Sequence, residues 1–371
     1  MGTKTSIEWT DSTWGPLRGC SRVSEGCRNC YAERIAARFC GPGRPFEGLA
    51  VMHNGKPAWT GKVELVEKHL LDPLKWGHGR PIYDAATRKR IGCDISQSRR
   101  IFVNSMSDLF HENVTDEMRD QVFAVMAICP QHVFQVLTKR PRRMLAYLKA
   151  HGRTSAVYCA ATLIIGGDFS KMPAEMIHHR SSGDGWWPLP NLWLGVSVET
   201  QAAADERIPP LLQTPTAVRF ISAEPLLGAV EFSDVSRRSD CVQILGKPAM
   251  EGIDWVICGG ESGPGARPMR PDWARSLRDQ CAAAGVPFFF KQWGEWLPGN
   301  QYEDRHRAMD PDEAQSRFPC MDFDEEFQRY EDCGGGSMDE TGDAATYCVG
   351  KKAAGSLLDG IEHKAFPAMR P

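Results

Sequence analysis

Arg99-Arg100-Ile101-Phe102-Val103-Asn104 is a short run rich in β-forming side chains, and Thr115-Asp116-Glu117 soon opens an amphipathic stretch that reaches Cys129 and stops at Pro130. The run reads as a strand. Thr115 reads as the N-cap of the helix that follows, because its hydroxyl can accept from the unpaired amides of a first turn, while proline cannot extend a helix past Cys129. The same unit recurs downstream. Val133-Phe134-Gln135-Val136-Leu137 precedes a helix from about Arg142 to Ala150, and Leu192-Trp193-Leu194-Gly195-Val196-Ser197 precedes one from about Ala202 to Leu212. Ala217-Val218-Arg219-Phe220-Ile221 and Ile253-Asp254-Trp255-Val256-Ile257 are further strands, Pro271 to Ala284 is helical, and Val286-Pro287-Phe288-Phe289-Phe290 closes the series. Upstream, Ile7 to Trp14 reads as a first strand and Tyr31 to Phe39 as its helix. Strands this apolar are covered on both faces, as in parallel sheets. The alternation predicts an α/β fold, a partial or complete (β/α) barrel of parallel strands.

The chain has 371 residues, 42% hydrophobic and 25% charged, with a net charge of -3, which excludes disordered and fibrous classes. Its longest uncharged apolar stretch, Val157 to Gly167, is too short to span a membrane, and Met1 to Trp9 contains Lys4 and Glu8 and no apolar signal core, so a cytoplasmic protein is expected. The barrel is expected over residues 1–300, with insertions at about 152–190 and 232–251, the first a candidate lid. Residues 301–371 read as a solvated acidic tail with a short basic end, since 303–343 holds fourteen acidic side chains against four arginines.

Polar residues gather where the strands end: Asn104 and Asp108, Thr138-Lys139-Arg140, Ser197 and Glu199, Glu224, Glu261-Ser262, and Lys291-Gln292-Trp293. The C-terminal edge of a parallel sheet is where such folds bind ligands. Structural ion pairing is the alternative role for each glutamate.

Most of the thirteen cysteines stand singly in apolar runs, as Cys129, Cys159, Cys258 and Cys281 do, but Cys20, Cys27 and Cys30 fall within one short loop after the first strand. In a reducing compartment such a group is metal-binding sooner than disulfide-bonded. Thiolates suit zinc, copper(I) or iron–sulfur clusters, and Gly19 and Gly26 let the loop fold tightly. A structural zinc site needs a fourth protein ligand, for which Cys40 is nearest, whereas a cluster held by three cysteines leaves one iron open.

The C-x6-C-x2-C loop resembles that of the radical S-adenosylmethionine (SAM) enzymes. Ile7-Glu8-Trp9-Thr10, Gly26-Cys27-Arg28-Asn29-Cys30-Tyr31-Ala32-Glu33, Leu137 to Pro141, Gly195 to Glu199, Ser222 to Leu226, Gly259 to Gly263 and Lys291 to Gly294 together resemble an uncharacterised phage-associated protein family with a three-cysteine motif. That family is considered radical SAM-like, with distant similarity to spore photoproduct lyase. Here the first spacing is six residues where three is usual, and Asn29 stands where an aromatic is usual. The resemblance implies a 4Fe-4S cluster on Cys20, Cys27 and Cys30, with SAM on the open iron, one-electron cleavage of SAM and hydrogen abstraction from a substrate. It further implies an electron donor as partner; the candidate SAM contacts, taken from position at the strand ends, are Lys139, Arg140, Ser197, Glu199, Glu224, Glu261 and Lys291.

The substrate class that follows is nucleic acid or a nucleotide. The net charge argues against a protein that coats nucleic acid, but Lys139-Arg140-Pro141-Arg142-Arg143 and Arg99-Arg100 could offer a phosphate-binding edge, and Trp186, Trp187, Trp293 and Trp296 could stack on bases. A zinc-stabilised α/β binding module without redox chemistry is the second reading, and a metal-free hydrolase using the glutamates and His111 a weaker third.

Overall fold

The computed structural model describes residues 5–76, 81–83, 90–93, 98–178, 186–233, 235, 249–299, 320–324, 329–332 and 345–368. Strands and helices alternate as expected. β1 (Ser12–Trp14) precedes α1 (Tyr31–Arg38), and β2 (Arg100–Val103) precedes α2 (Asp116–Ile128). β3 (Val133–Thr138) is followed by α3 (Pro141–Lys149) and α4 (Arg153–Ile164), and β4 (Leu192–Ser197) by α5 (Gln201–Gln213). β5 (Val218–Ala223), β6 (Trp255–Gly259), α6 (Pro271–Ala284) and β7 (Phe288–Gln292) complete the set.

The seven strands form one sheet in chain order, β1-β2-β3-β4-β5-β6-β7. Ile101 lies opposite both Ser12 and Phe134, Phe134 opposite Leu192, Phe220 opposite Trp255 and Ile257 opposite Phe289, all in parallel register. A parallel sheet wound in one direction is the winding of a (β/α) barrel, and because the order ends at β1 and β7 it is a partial one. Every residue of β4 and β6 is buried, which is why these strands carry apolar runs instead of an alternating pattern.

The chain divides into two compact units, Met1–Val23 with Ala32–Val196 and Gln213–Arg219, and Ser24–Tyr31 with Ser197–Leu212 and Phe220–Pro371. In the first, Trp14, Phe123 and Phe134 are buried and α2 packs on α4. In the second, Phe220, Trp255, Phe289 and Phe290 form the core.

Three expectations change. The first strand is confined to Ser12–Trp14. The stretch expected as a lid begins with α4, and Trp186 is buried, in edge contact with Trp187, which in turn lies against Phe123. Residues 179–185 of that stretch, most of 232–251 and much of the acidic region fall outside the described residues. What is described of the tail is ordered: Trp296–Pro298 pairs antiparallel with Ala345–Cys348, which pairs with Cys320–Asp324, and that strand with Arg329–Asp332. Tyr347 and Leu358 are buried, so this segment contributes to the core. No helix of the described residues is long and apolar enough to cross a membrane.

Candidate functional site

The strand ends carry the residues the sequence singles out. In the first unit, β2 is followed by Asn104, which adopts a left-handed conformation (φ 61°) and accepts the Leu17 amide on Oδ1 at 3.2 Å. The chain then turns back to Ser107, whose hydroxyl donates to the Gly19 carbonyl at 2.7 Å. Gly19 itself has φ 90°, and a Cβ there would overlap the Lys62 carbonyl, so only glycine fits before Cys20. Beyond Cys20, Ser21 is held from two sides. Arg140 donates from Nη2 to Ser21 Oγ at 2.8 Å, and Oγ lies 2.9 Å from His111 Nε2.

Arg140 is buried and heavily engaged. Its Nε donates to both Glu112 oxygens at 2.8 and 2.9 Å, and its Nη1 to Asp108 Oδ2 at 3.1 Å. Burial works to lower its pKa, but the Glu112 hydrogen bond and the charges of Asp108, Cys20 and Glu112 outweigh it and raise the value. Cys20 thus lies within electrostatic reach of the guanidinium. Asp108 also accepts from the Thr138 hydroxyl at 2.8 Å and the Lys139 amide at 3.3 Å, tying the end of β3 to the loop after β2. His111 Nδ1 accepts the Asn113 amide at 3.1 Å, so in the neutral ring Nε2 carries the proton and donates to Ser21. Such an imidazole cannot take the Ser21 proton, and the arrangement is not that of an activated nucleophile. Burial, and next the Arg140 charge, push the His111 pKa below its ordinary value.

In the second unit the segment from Ser24 to Tyr31 forms a tight turn. Cys27 N donates to Ser24 O, Arg28 N to Glu25 O and Cys30 N to Cys27 O, at 2.9 to 3.3 Å. Ser24 stands at the N-cap position but does not cap its own turn; its hydroxyl donates instead to Glu199 Oε1 at 2.9 Å. Glu199, just past β4, is buried and also accepts from Arg207 Nη1 at 2.8 Å, while the same nitrogen donates to the Ser197 carbonyl at 2.9 Å. A Cβ at Gly26 would overlap the Glu199 carboxylate, the physical reason for glycine there. Past β6, Glu261 accepts from Asn29 Nδ2, Arg267 N and Arg267 Nε, each at 2.9 Å, and from Arg267 Nη2 at 2.6 Å. Burial works to raise its pKa, but these Arg267 and Asn29 contacts prevail and hold it below the usual carboxylate range.

Glu224 and Lys291 differ from these. They follow β5 and end β7, on either side of Gly259, and pair at 2.6 Å with side chains 19% and 14% exposed. Gln292 adds a weaker contact to the same Glu224 oxygen at 3.4 Å, which leaves Oε2 without a hydrogen-bond partner among the described residues.

Cys20, Cys27 and Cys30 are half-buried and outside any disulfide. By donor chemistry they suit an iron–sulfur cluster or zinc. Among the described residues no group of three His, Cys, Asp or Glu side chains is gathered closely enough to hold a metal ion. Cys40 donates to the Ala37 carbonyl at 3.1 Å, at the end of α1.

The remaining candidates are placed more simply. Arg100 is paired with Asp11 at 2.9 Å and Arg99 lies over the Trp76 ring, so neither offers a bare phosphate contact. Trp293 and Trp296 are buried, their indole N–H groups given to Leu357 and Ala266 carbonyls at 2.8 and 2.7 Å, which makes them packing residues. Ser24, Asn29, Arg207 and Arg267 join the site without having stood out as candidates in the sequence. The signal for the two arginines was a glutamate followed at short spacing by arginine; for Ser24 and Asn29 it was polar residues interleaved with the cysteines.

A family model matches residues 4–367, and it describes a protein of unknown function, DUF5131. No curated protein and no solved structure matches the chain.

Proposed function

The chain belongs to this uncharacterised family, and from its residues we propose that it is a radical SAM-like enzyme acting on nucleic acid or a nucleotide. The observation that carries the reading is the loop of three half-buried thiols outside any disulfide, two of them on a turn fastened to residues at the C-terminal ends of β4 and β6. Cys20, Cys27 and Cys30 would hold a 4Fe-4S cluster. When bound, such a cluster supplies one electron for the cleavage of SAM, which yields methionine and an adenosyl radical able to take a hydrogen atom from a substrate.

The chain's own residues supply binding and orientation. Among the described residues the Glu224–Lys291 pair keeps one carboxylate oxygen and two ammonium protons beyond its own contact. It matches an amino-acid zwitterion, Lys291 taking the carboxylate and Glu224 the ammonium. Lys139 and the exposed Arg142 are the basic residues assigned to a phosphate near β3 in this reading. The phage-associated resemblance favours modification or repair of nucleic acid as the reaction, with a separate protein as electron donor.

Anaerobic reconstitution with iron and sulfide tests this. The expected result is the absorbance and reduced-state paramagnetic resonance of a 4Fe-4S cluster, perturbed by SAM and lost on Cys20→Ala, Cys27→Ala or Cys30→Ala. Glu224→Gln and Lys291→Met should keep the cluster and each weaken SAM binding about tenfold, the scale of one charge-assisted hydrogen bond. Stoichiometric zinc that is lost on Cys40→Ser, with no cluster, would overturn the reading in favour of a zinc-stabilised binding module.

A further inference from the structure

The turn that carries Cys27 and Cys30 is held at three points by groups from outside it. Ser24 donates to Glu199; Arg267 Nη2 donates to the Glu25 carbonyl at 3.0 Å; and Asn29 Nδ2 donates both to Glu261 and to the Gly265 carbonyl, at 2.9 and 2.6 Å. The two carboxylates are themselves fixed, Glu199 by Arg207 and Glu261 by three donors of Arg267. Glu199 and Glu261 are 1% and 6% exposed, so each binds the turn through a desolvated, charge-assisted contact, the strongest kind of hydrogen bond available to a protein. Ser24 forgoes the cap of its own turn to make this contact. Gly26 has no room for a side chain because the Glu199 carboxylate lies against it.

We infer that Glu199 and Glu261, through Ser24 and Asn29, are positioning residues that set the conformation and accessibility of the Cys27–Cys30 turn. Asn29 has a specific part in this. It sits immediately before Cys30 and ties the segment between the two thiols to β6 through Glu261, and to the loop beyond through Gly265. The role goes beyond the function proposed above, because it concerns the turn in the protein without any bound group, and it assigns to Glu199 and Glu261 a task other than touching SAM.

The test uses the full-length protein free of metal. Hydrogen exchange of the 24–31 segment and alkylation rates of Cys27 and Cys30, each referred to Cys20 in the same molecule, are compared in wild type, Ser24→Ala, Asn29→Ala and Glu261→Gln. We expect exchange of that segment and alkylation of both thiols to rise about tenfold in Ser24→Ala and Asn29→Ala, with Ser24→Thr, which keeps the hydroxyl, restoring wild-type rates. Unchanged rates in Ser24→Ala and Asn29→Ala would overturn the assignment, as would a rise spread equally over the buried Cys258 and Cys281, which marks general loosening. Should Glu261→Gln fail to fold, the other two variants each remove one contact from the turn side and still decide the matter. None of these readouts depends on a cluster, so failure here and failure of the radical SAM reading are separate results.

Discussion

His111 gives up its capacity as a base to hold Ser21 in place. Its Nδ1 is taken by the Asn113 amide and its Nε2 proton faces Ser21, while Arg140, Glu112, Asp108 and Arg143 surround the ring electrostatically. Burial and Arg140 favour the neutral form, so the folded value lies below that of the unfolded chain. A histidine of this kind contributes stability that is complete above the unfolded value of about 6.5 and is lost as pH falls below it towards the folded value. Urea unfolding at pH 7.5 and 5.5 should therefore show a smaller fall for His111→Gln than for wild type; equal falls would remove His111 from the account. The residues also show what was legible at this scale. That Glu199, Glu224 and Glu261 crowd one edge follows from strand ends alone. Which of them is spent does not, because the partners Arg207, Asn29 and Arg267 are defined by where α5, the cysteine turn and the loop after β6 come to lie.

Elements were readable in proportion to how well local chemistry agreed with tertiary demand. Thr115 caps α2 as expected, its hydroxyl accepting the Met118 amide at 3.3 Å, and Pro271 opens α6, which ends before Gly285 at φ 66°. α4 was missed for a physical reason. Its buried stripe is only Arg153, Val157 and Ala161, while its opposite side is apolar too, Leu163 being 81% exposed, so no amphipathic contrast marks it. The strand-end reading of β4 and β6 succeeded because a strand buried on both faces has no polar residue until it ends. For α2 the prediction is direct: Thr115→Ala should lower stability by about 1 kcal/mol in denaturant unfolding, with little change on Thr115→Ser. A loss no greater than a few tenths would show that tertiary packing alone holds the helix start.

The parallel sheet leaves β7 as an edge, and unpaired edge strands invite association with other chains. Here the edge is covered by the chain's own end segment. Phe290 N donates to the His363 carbonyl at 2.8 Å and Ala365 N to the Phe288 carbonyl at 3.2 Å. Phe366 lies against Trp255 and Phe289, with ring centroids 5.1 and 5.3 Å away, and Trp255 Nε1 donates to the Ala365 carbonyl at 2.9 Å. Composition marked this region only as an acid-rich tail with a basic end, because contacts so distant in sequence leave no periodic trace. Lys364 carries the consequence for function, since its ammonium donates to the Phe290 and Lys291 carbonyls at 2.9 and 3.3 Å and so steadies the strand end that presents Lys291. Phe366→Ala, at a half-buried ring, should cost about 2 kcal/mol. Lys364→Ala should leave stability nearly intact and yet weaken SAM binding. Removing residues 350–371 should lower the unfolding midpoint, weaken the proposed SAM binding and expose the β7 edge, giving a protein that elutes as larger species on size exclusion. If the truncated chain stays monomeric and keeps its unfolding midpoint, the end segment only covers a sheet that is stable without it.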